Sequence, residues 1–204
     1  MNSSVGKIGA AVTGAAVLAF AISMLWGTIF TSCLSSMFIA IGFIPFMVSI
    51  VAVNKNPERK AIGLTGIAFS AIYAVIILLV YYAECTTVRM NSALSQEALS
   101  IISYGHTGSL FFNYDLLGYG FMGLATFLVA FTVEPRSKGD AVLRTLLWIH
   151  GIFFLFCLVI PMLPLFTADS SSMMGVIILE AWCLYFLPIC ILGYRYFEQN
   201  GKPA

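Results

Sequence analysis

The chain has 204 residues, of which 60% are hydrophobic and 9% charged, with a formal net charge of +1. A soluble domain carries about 25% charged residues, so this composition excludes a soluble globular protein. The near-neutral charge and the absence of a basic patch exclude nucleic acid as a partner.

Lipid as the solvent removes the need for a charged surface, because an apolar outer face is then the stable one. A helix needs about 20 apolar residues to cross a bilayer. Six stretches qualify, at residues 8–30, 34–53, 61–83, 109–133, 142–165 and 174–197. The fold expected is all-α: a polytopic transmembrane helix bundle with six transmembrane helices in a single domain.

At the N-terminus, Lys7, an apolar run and Ala19-Phe20-Ala21 resemble a secretory signal with its cleavage site. The apolar run continues past that point, so the segment is read as an uncleaved first helix. The polar stretch 31–36 is expected to form a tight external turn into the second helix. Asn56-Pro57 marks the turn into the third helix.

The external loop 84–108 comes next. Asn91 or Ser92 is expected to cap a short amphipathic helix there. Leu94, Ala98, Ile101 and Ile102 would form its apolar stripe. Gly105 and Gly108 mark a flexible exit into the fourth helix. Glu134-Pro135 ends that helix, because the residue before a proline leaves the α region. Pro161 and Pro164 are expected to distort the outer end of the fifth helix, and Pro45 and Pro188 to kink the second and sixth.

Orientation follows from the cations. Lys7, Lys55, Arg59, Lys60, Arg136, Lys138, Arg144, Arg195 and Lys202 fall on one side when the six spans are threaded, leaving only Arg89 of the ten Lys and Arg for the other. Short loops rich in Lys and Arg stay in the cytoplasm, so both termini are expected there, in a plasma or inner membrane. Small residues supply the packing faces: Gly9, Ala10 and Gly14 in the first helix, Gly63 and Gly66 in the third, and Gly118, Gly120 and Gly123 in the fourth.

Polar residues inside spans cost insertion energy and tend to face protein or water. Glu180 lies among apolar neighbours in the sixth span. It reads either as a site for a proton, a cation or a ligand's amine, or as a carboxyl hydrogen-bonded to a neighbouring helix. Asp115, with Tyr119 one turn on, reads as a ligand residue or as a cap for a helix that starts after Ser109. His150 reads as a proton relay or as a buried, hydrogen-bonded ring. Glu84 ends the third span. Together Glu84, Asp115 and Glu180 would line an acidic outer vestibule if helices three, four and six converge. Cys33 and Cys85 both fall at the outer face, where an oxidising compartment permits a disulfide. Cys157, Cys183 and Cys190 read as small apolar residues within spans.

No metal or cofactor signature is present. The chain has no H-E-x-x-H, no C-x-x-C, no phosphate-binding glycine loop and no G-x-S-x-G. It has two histidines, on opposite halves of the topology, which speaks against paired-histidine haem ligation. The expected partners are the lipid bilayer, a small-molecule or cation ligand, and a membrane-protein partner or further copies of the chain. The reading is a binder or transporter of a small solute or proton through the outer acidic residues. The alternative is a non-catalytic accessory or regulatory membrane subunit. A membrane-embedded enzyme is a distant third, since the carboxylates lack a nucleophile or metal beside them.

Overall fold

The first two helices form a tight antiparallel hairpin. In the computed structural model, which describes residues 1–90, 93–163 and 172–200, α1 (Asn2–Trp26) and α2 (Ile29–Val53) are separated only by Gly27 and Thr28. This corrects the expected turn at 31–36 and the expected helix starts at residues 8 and 34. Serine and threonine do not end a helix when their hydroxyls bond back to its own carbonyls. Thr31, Ser32 and Ser35 each do so, at 2.8, 3.2 and 2.8 Å. Thr28 closes a capping box with Thr31. A side chain at Gly27 would meet Thr31 Oγ1 at 2.5 Å and the Ser23 carbonyl at 2.6 Å, so the turn requires glycine.

A short turn, Pro57–Arg59, leads into α3 (Lys60–Ala83), which ends in a widened π turn, Glu84–Val88. The external helix α4 (Gln96–Ile102) exists, but Ser95 caps it, accepting from the Ala98 amide at 3.1 Å. Leu94 precedes the helix, and Asn91 and Ser92 lie outside the described residues. Ile101 of the expected stripe is 61% exposed. At the exit, Gly108 takes a positive φ of +82°, the left-handed conformation that glycine adopts without strain.

Helix α5 spans Leu110–Ala130. The expected fifth span is two helices, α6 (Lys138–His150) and α7 (Ile152–Val159), followed by the turn Ile160–Met162. It starts four residues earlier than expected because Ser137 and Asp140 form a capping box. It breaks at Gly151, where Phe127 packs so closely that an added Cβ would lie 2.7 Å from the Phe127 Cβ. The turn at 160–162 contains Pro161, and Pro164 lies outside the described residues. Helix α8 (Ser172–Asn200) runs through Pro188, as α2 runs through Pro45.

The helices close into a ring. Each of α1, α2, α3, α5 and the α6–α7 pair packs on the next, and α8 completes the circle between α6 and α1. Backbones touch most closely between α1 and α2, where a Cβ on Gly9 would lie 2.6 Å from the Phe46 nitrogen and one on Gly42 would lie 2.8 Å from the Thr13 nitrogen. The core holds Phe20, Phe43, Phe46, Ile77 and Phe186, while Leu18, Ile41, Leu79, Leu155 and Leu184 face outward. An apolar outside suits a lipid solvent. Five helices are long and apolar enough to cross a membrane: Asn2–Trp26, Ile29–Val53, Pro57–Val88, Lys138–Met162 and Gly175–Gln199. Helix α5 is not among them, because Asn113, Tyr114 and Asp115 lower its hydropathy. No strand occurs among the described residues.

The basic segments meet at one end of the ring. Asn54 Nδ2 donates to the Thr132 carbonyl and, at 3.5 Å, to Glu134 Oε1, which joins the turn after α2 to the turn after α5. Tyr196 of α8 lies against Glu134, and Lys7 of α1 stands 5.9 Å from the Tyr194 ring. Arg89 is at the other end, stacked 4.2 Å over Phe30.

Candidate functional site: a buried aspartate among tyrosines

The site lies between α3 and α5, toward the Arg89 end. Tyr73, Ile77 and Tyr81 recur every four residues on α3 and so share one face. All three are buried, at 0%, 0% and 1% exposure. On α5, Asp115 and Tyr119 are likewise one turn apart. Gly118 lets the two faces approach, since a Cβ there would sit 2.9 Å from Ile77 Cδ1.

The contact this creates is a short hydrogen bond: Tyr81 Oη donates to Asp115 Oδ1 at 2.6 Å. Asp115 is 4% exposed. It is not a helix cap, because Ser109 holds that position and accepts from the Phe112 amide at 3.2 Å. No ion pair reaches Asp115; among the described residues the one such pair joins Arg136 to Glu134 at 3.9 Å.

Above Asp115, the loop after α4 covers Tyr81. Tyr104 meets it edge-on, with ring centroids 5.4 Å apart. Burial holds the Tyr104 phenol well above its usual range. Glu84, 5% exposed, accepts from the Tyr104 amide and from Ser103 Oγ at 3.3 Å. A carboxylate that accepts a backbone N–H holds that loop in place. Glu84 therefore anchors the cover of the site, and Arg89 pairs with a ring instead of with it.

Below Asp115, Tyr119 packs on Tyr73 at 5.6 Å and edge-on against Trp182 of α8 at 5.3 Å. Tyr119 lies beside both Tyr73 and Ser36 of α2. Yet Ser36 Oγ, Tyr73 Oη and Tyr119 Oη are all buried, and none meets hydrogen-bond geometry with any partner. Buried polar atoms are paired in the great majority of cases, so these three hydroxyls, adjacent to one another but out of bonding geometry, form with Asp115 a polar cluster that is not completed among the described residues.

One layer deeper the polar groups are complete. Trp182 Nε1 donates to His150 Nε2 at 3.1 Å. An indole nitrogen only donates, so Nε2 accepts and the ring proton sits on Nδ1. Nδ1 then donates to Thr126 Oγ1 at 2.8 Å, and Thr126 passes its own proton to the Gly123 carbonyl at 2.8 Å. His150 is 1% exposed and stacked on Tyr185 at 5.8 Å.

Glu180 stands apart. Residues two apart on a helix point about 200° away from each other at 3.6 residues per turn. With Trp182 turned into the ring, Glu180 faces elsewhere, beside Cys183. Its Oε1 is buried without a hydrogen-bond partner. The structure thus brings Glu84 and Asp115 around Tyr81 and Tyr104, and no hydrogen bond joins Glu180 to either among the described residues. Among those residues no three His, Cys, Asp or Glu side chains converge to hold a metal.

Tyr73, Tyr81, Ser36, Thr126 and Trp182 escaped sequence reasoning. The four-residue spacing of Tyr73, Ile77 and Tyr81 was the available signal. Tyr81 is 1% exposed, whereas its neighbour Tyr82 is 65% exposed and turned away from the site.

Comparison of the chain with protein-family models, with curated proteins and with solved structures finds no match.

Proposed function

We propose that the chain is a six-span protein of a plasma or inner membrane, with both ends in the cytoplasm, that binds a proton or small cation at Asp115. One observation carries the binding reading. Asp115 is 4% exposed and, among the described residues, receives a single hydrogen bond, while three neighbouring hydroxyls there meet bonding geometry with no partner. A carboxylate removed from water without a cation is costly, so the group is suited to take a proton or another cation rather than stand alone. Tyr81, Tyr119 and Tyr73 offer further oxygens in line with it. The six-span topology is supported by the packing of consecutive long helices around the ring and by the meeting of the basic turns at one end. Helix α5 crosses between α3 and the α6–α7 pair in this reading. Its polar start is tolerated because Asp115 is buried in protein rather than exposed to lipid.

The test is proton uptake by vesicles that contain the purified protein and a pH-sensitive dye, under an imposed potassium diffusion potential. Wild type is expected to exceed empty vesicles, and Asp115→Asn to fall to their rate. The asparagine keeps an oxygen to accept from Tyr81, so thermal unfolding in detergent should be unchanged. An Asp115→Asn variant with wild-type uptake overturns the reading.

A second reading, an accessory subunit, is favoured by the groove between α1 and α8. Its floor is Ala10, Ala11, Gly14 and Ala15, with Cys190 and Ile191 opposite. Small residues admit a partner helix at short distance. Extraction in mild detergent should then recover a stoichiometric membrane partner, and a clean monomer counts against it.

A further inference from the structure

A pair of cysteines lies at the Arg89 end, outside the hydrogen bonds of the aspartate site. Cys33 is in the second turn of α2, and Cys85 is in the π turn that ends α3. The α2 helix packs against this turn. The two thiols are side-chain neighbours. Cys33 is fully buried and Cys85 partly exposed, and both are free thiols in the structure. The other cysteines differ: Cys190 packs on Gly14 of α1 and Cys157 on Gly120 of α5.

The turn that carries Cys85 is fixed from two sides. Glu84, the residue before it, is tied to Ser103 and Tyr104. Arg89, four residues after it, is stacked on Phe30 of α2. Both α2 and the turn are therefore held in place, and their thiols stay adjacent instead of meeting by chance.

We infer that Cys33 and Cys85 form an intramolecular disulfide by exchange with a small-molecule disulfide, locking the start of α2 to the end of α3. The exposures set the order of events. Cys85, the accessible thiol, attacks the small disulfide as its thiolate, forms a mixed disulfide and expels one small thiol. Cys33 then attacks the Cys85 sulfur, forms the internal bond and expels the second. The two protein thiols lose two electrons and two protons, and the small disulfide leaves as two thiols. The bond would close a loop containing all of α3 and most of α2, and long loops are where a cross-link most restricts the unfolded chain. The inference stands on the adjacent thiols and not on the proton-binding reading of Asp115.

The test uses the full chain in detergent, reduced, desalted and then exposed to oxidised glutathione. Remaining thiols are alkylated after denaturation and counted by intact mass, and the linked peptides are mapped. The reduced chain has five alkylatable cysteines. After exposure it is expected to show two fewer, with a peptide linking Cys33 to Cys85 and no retained glutathione. The oxidised chain is also expected to unfold at a higher temperature than the reduced one. Three outcomes overturn the inference: an unchanged thiol count, glutathione held on Cys85 with Cys33 still alkylatable, or a link through Cys157, Cys183 or Cys190. Because wild type alone decides the question, no variant needs to fold. Cys85→Ser adds a check, since it should keep every remaining thiol free.

Discussion

Two polar clusters are buried in the same ring of helices, one layer apart, and they differ in completeness. Around His150 every donor has an acceptor: indole to imidazole, imidazole to threonine, threonine to the Gly123 carbonyl. Around Asp115 a carboxyl has one donor, and three hydroxyls have no partner. Trp182 belongs to both, since it bonds His150 and packs against Tyr119. A completed network ties helices together, because each group would be costly if left alone. An incomplete one contributes little to cohesion and leaves polar atoms ready for a ligand or proton. Under the proposed reading, the His150 cluster is architecture joining α5, α6 and α8, and the Asp115 cluster is the binding site.

The largest effect that should separate the two comes from His150→Ala. It removes a buried ring and orphans the Trp182 N–H, while the Thr126 hydroxyl keeps its bond to the Gly123 carbonyl. The expected loss of stability is about 3 kcal/mol, combining the cavity and the unpaired indole donor. Detergent-mediated unfolding measures it. Vesicle uptake per folded molecule should not change, and a specific loss of uptake with stability intact would move His150 into the site. Thr126→Val is the milder form. It leaves the His150 Nδ1 proton without an acceptor and should cost about 1–2 kcal/mol.

The long apolar helices were legible in the sequence for a simple reason: the lipid requirement writes itself as length and apolarity. The hairpin turn was not, because the polar run at 31–36 looks like a loop until its hydroxyls are seen bonding to their own helix. The break at Gly151 depends on Phe127 of another helix, which no local pattern contains. At the site, Asp115 and Tyr119 were legible as a pair one turn apart. Their partners were not, since Tyr81 and Tyr73 reach them only through the α3–α5 packing that Gly118 permits. Glu180 drew attention as an isolated carboxyl, and its separation from the Asp115 cluster follows from the helical phase that Trp182 sets.

Glu84→Ala probes the cover of the site. It removes the acceptor for the Tyr104 amide and for Ser103. The cost should be about 1–2 kcal/mol, less than for His150→Ala because the loop lies at the end of the ring. Hydrogen exchange at the Tyr104 amide should accelerate, while amides in α5 stay protected. Equal acceleration in both would mean that Glu84 supports the ring itself and not only its cover.

The smallest effect carries the sharpest sign. Tyr73→Phe and Ser36→Ala each delete a buried hydroxyl that meets no partner. Removing an unsatisfied polar atom relieves its desolvation cost without breaking a bond, so each variant should be between unchanged and about 1 kcal/mol more stable. Thr126→Val, also a hydroxyl deletion in the same core, should go the other way. The two signs should appear in one unfolding assay under one set of conditions. If Tyr73→Phe destabilises as much as Thr126→Val, the hydroxyls near Asp115 are bonded in the membrane. The contrast between the two clusters then disappears, and with it the reason for placing the binding site at Asp115.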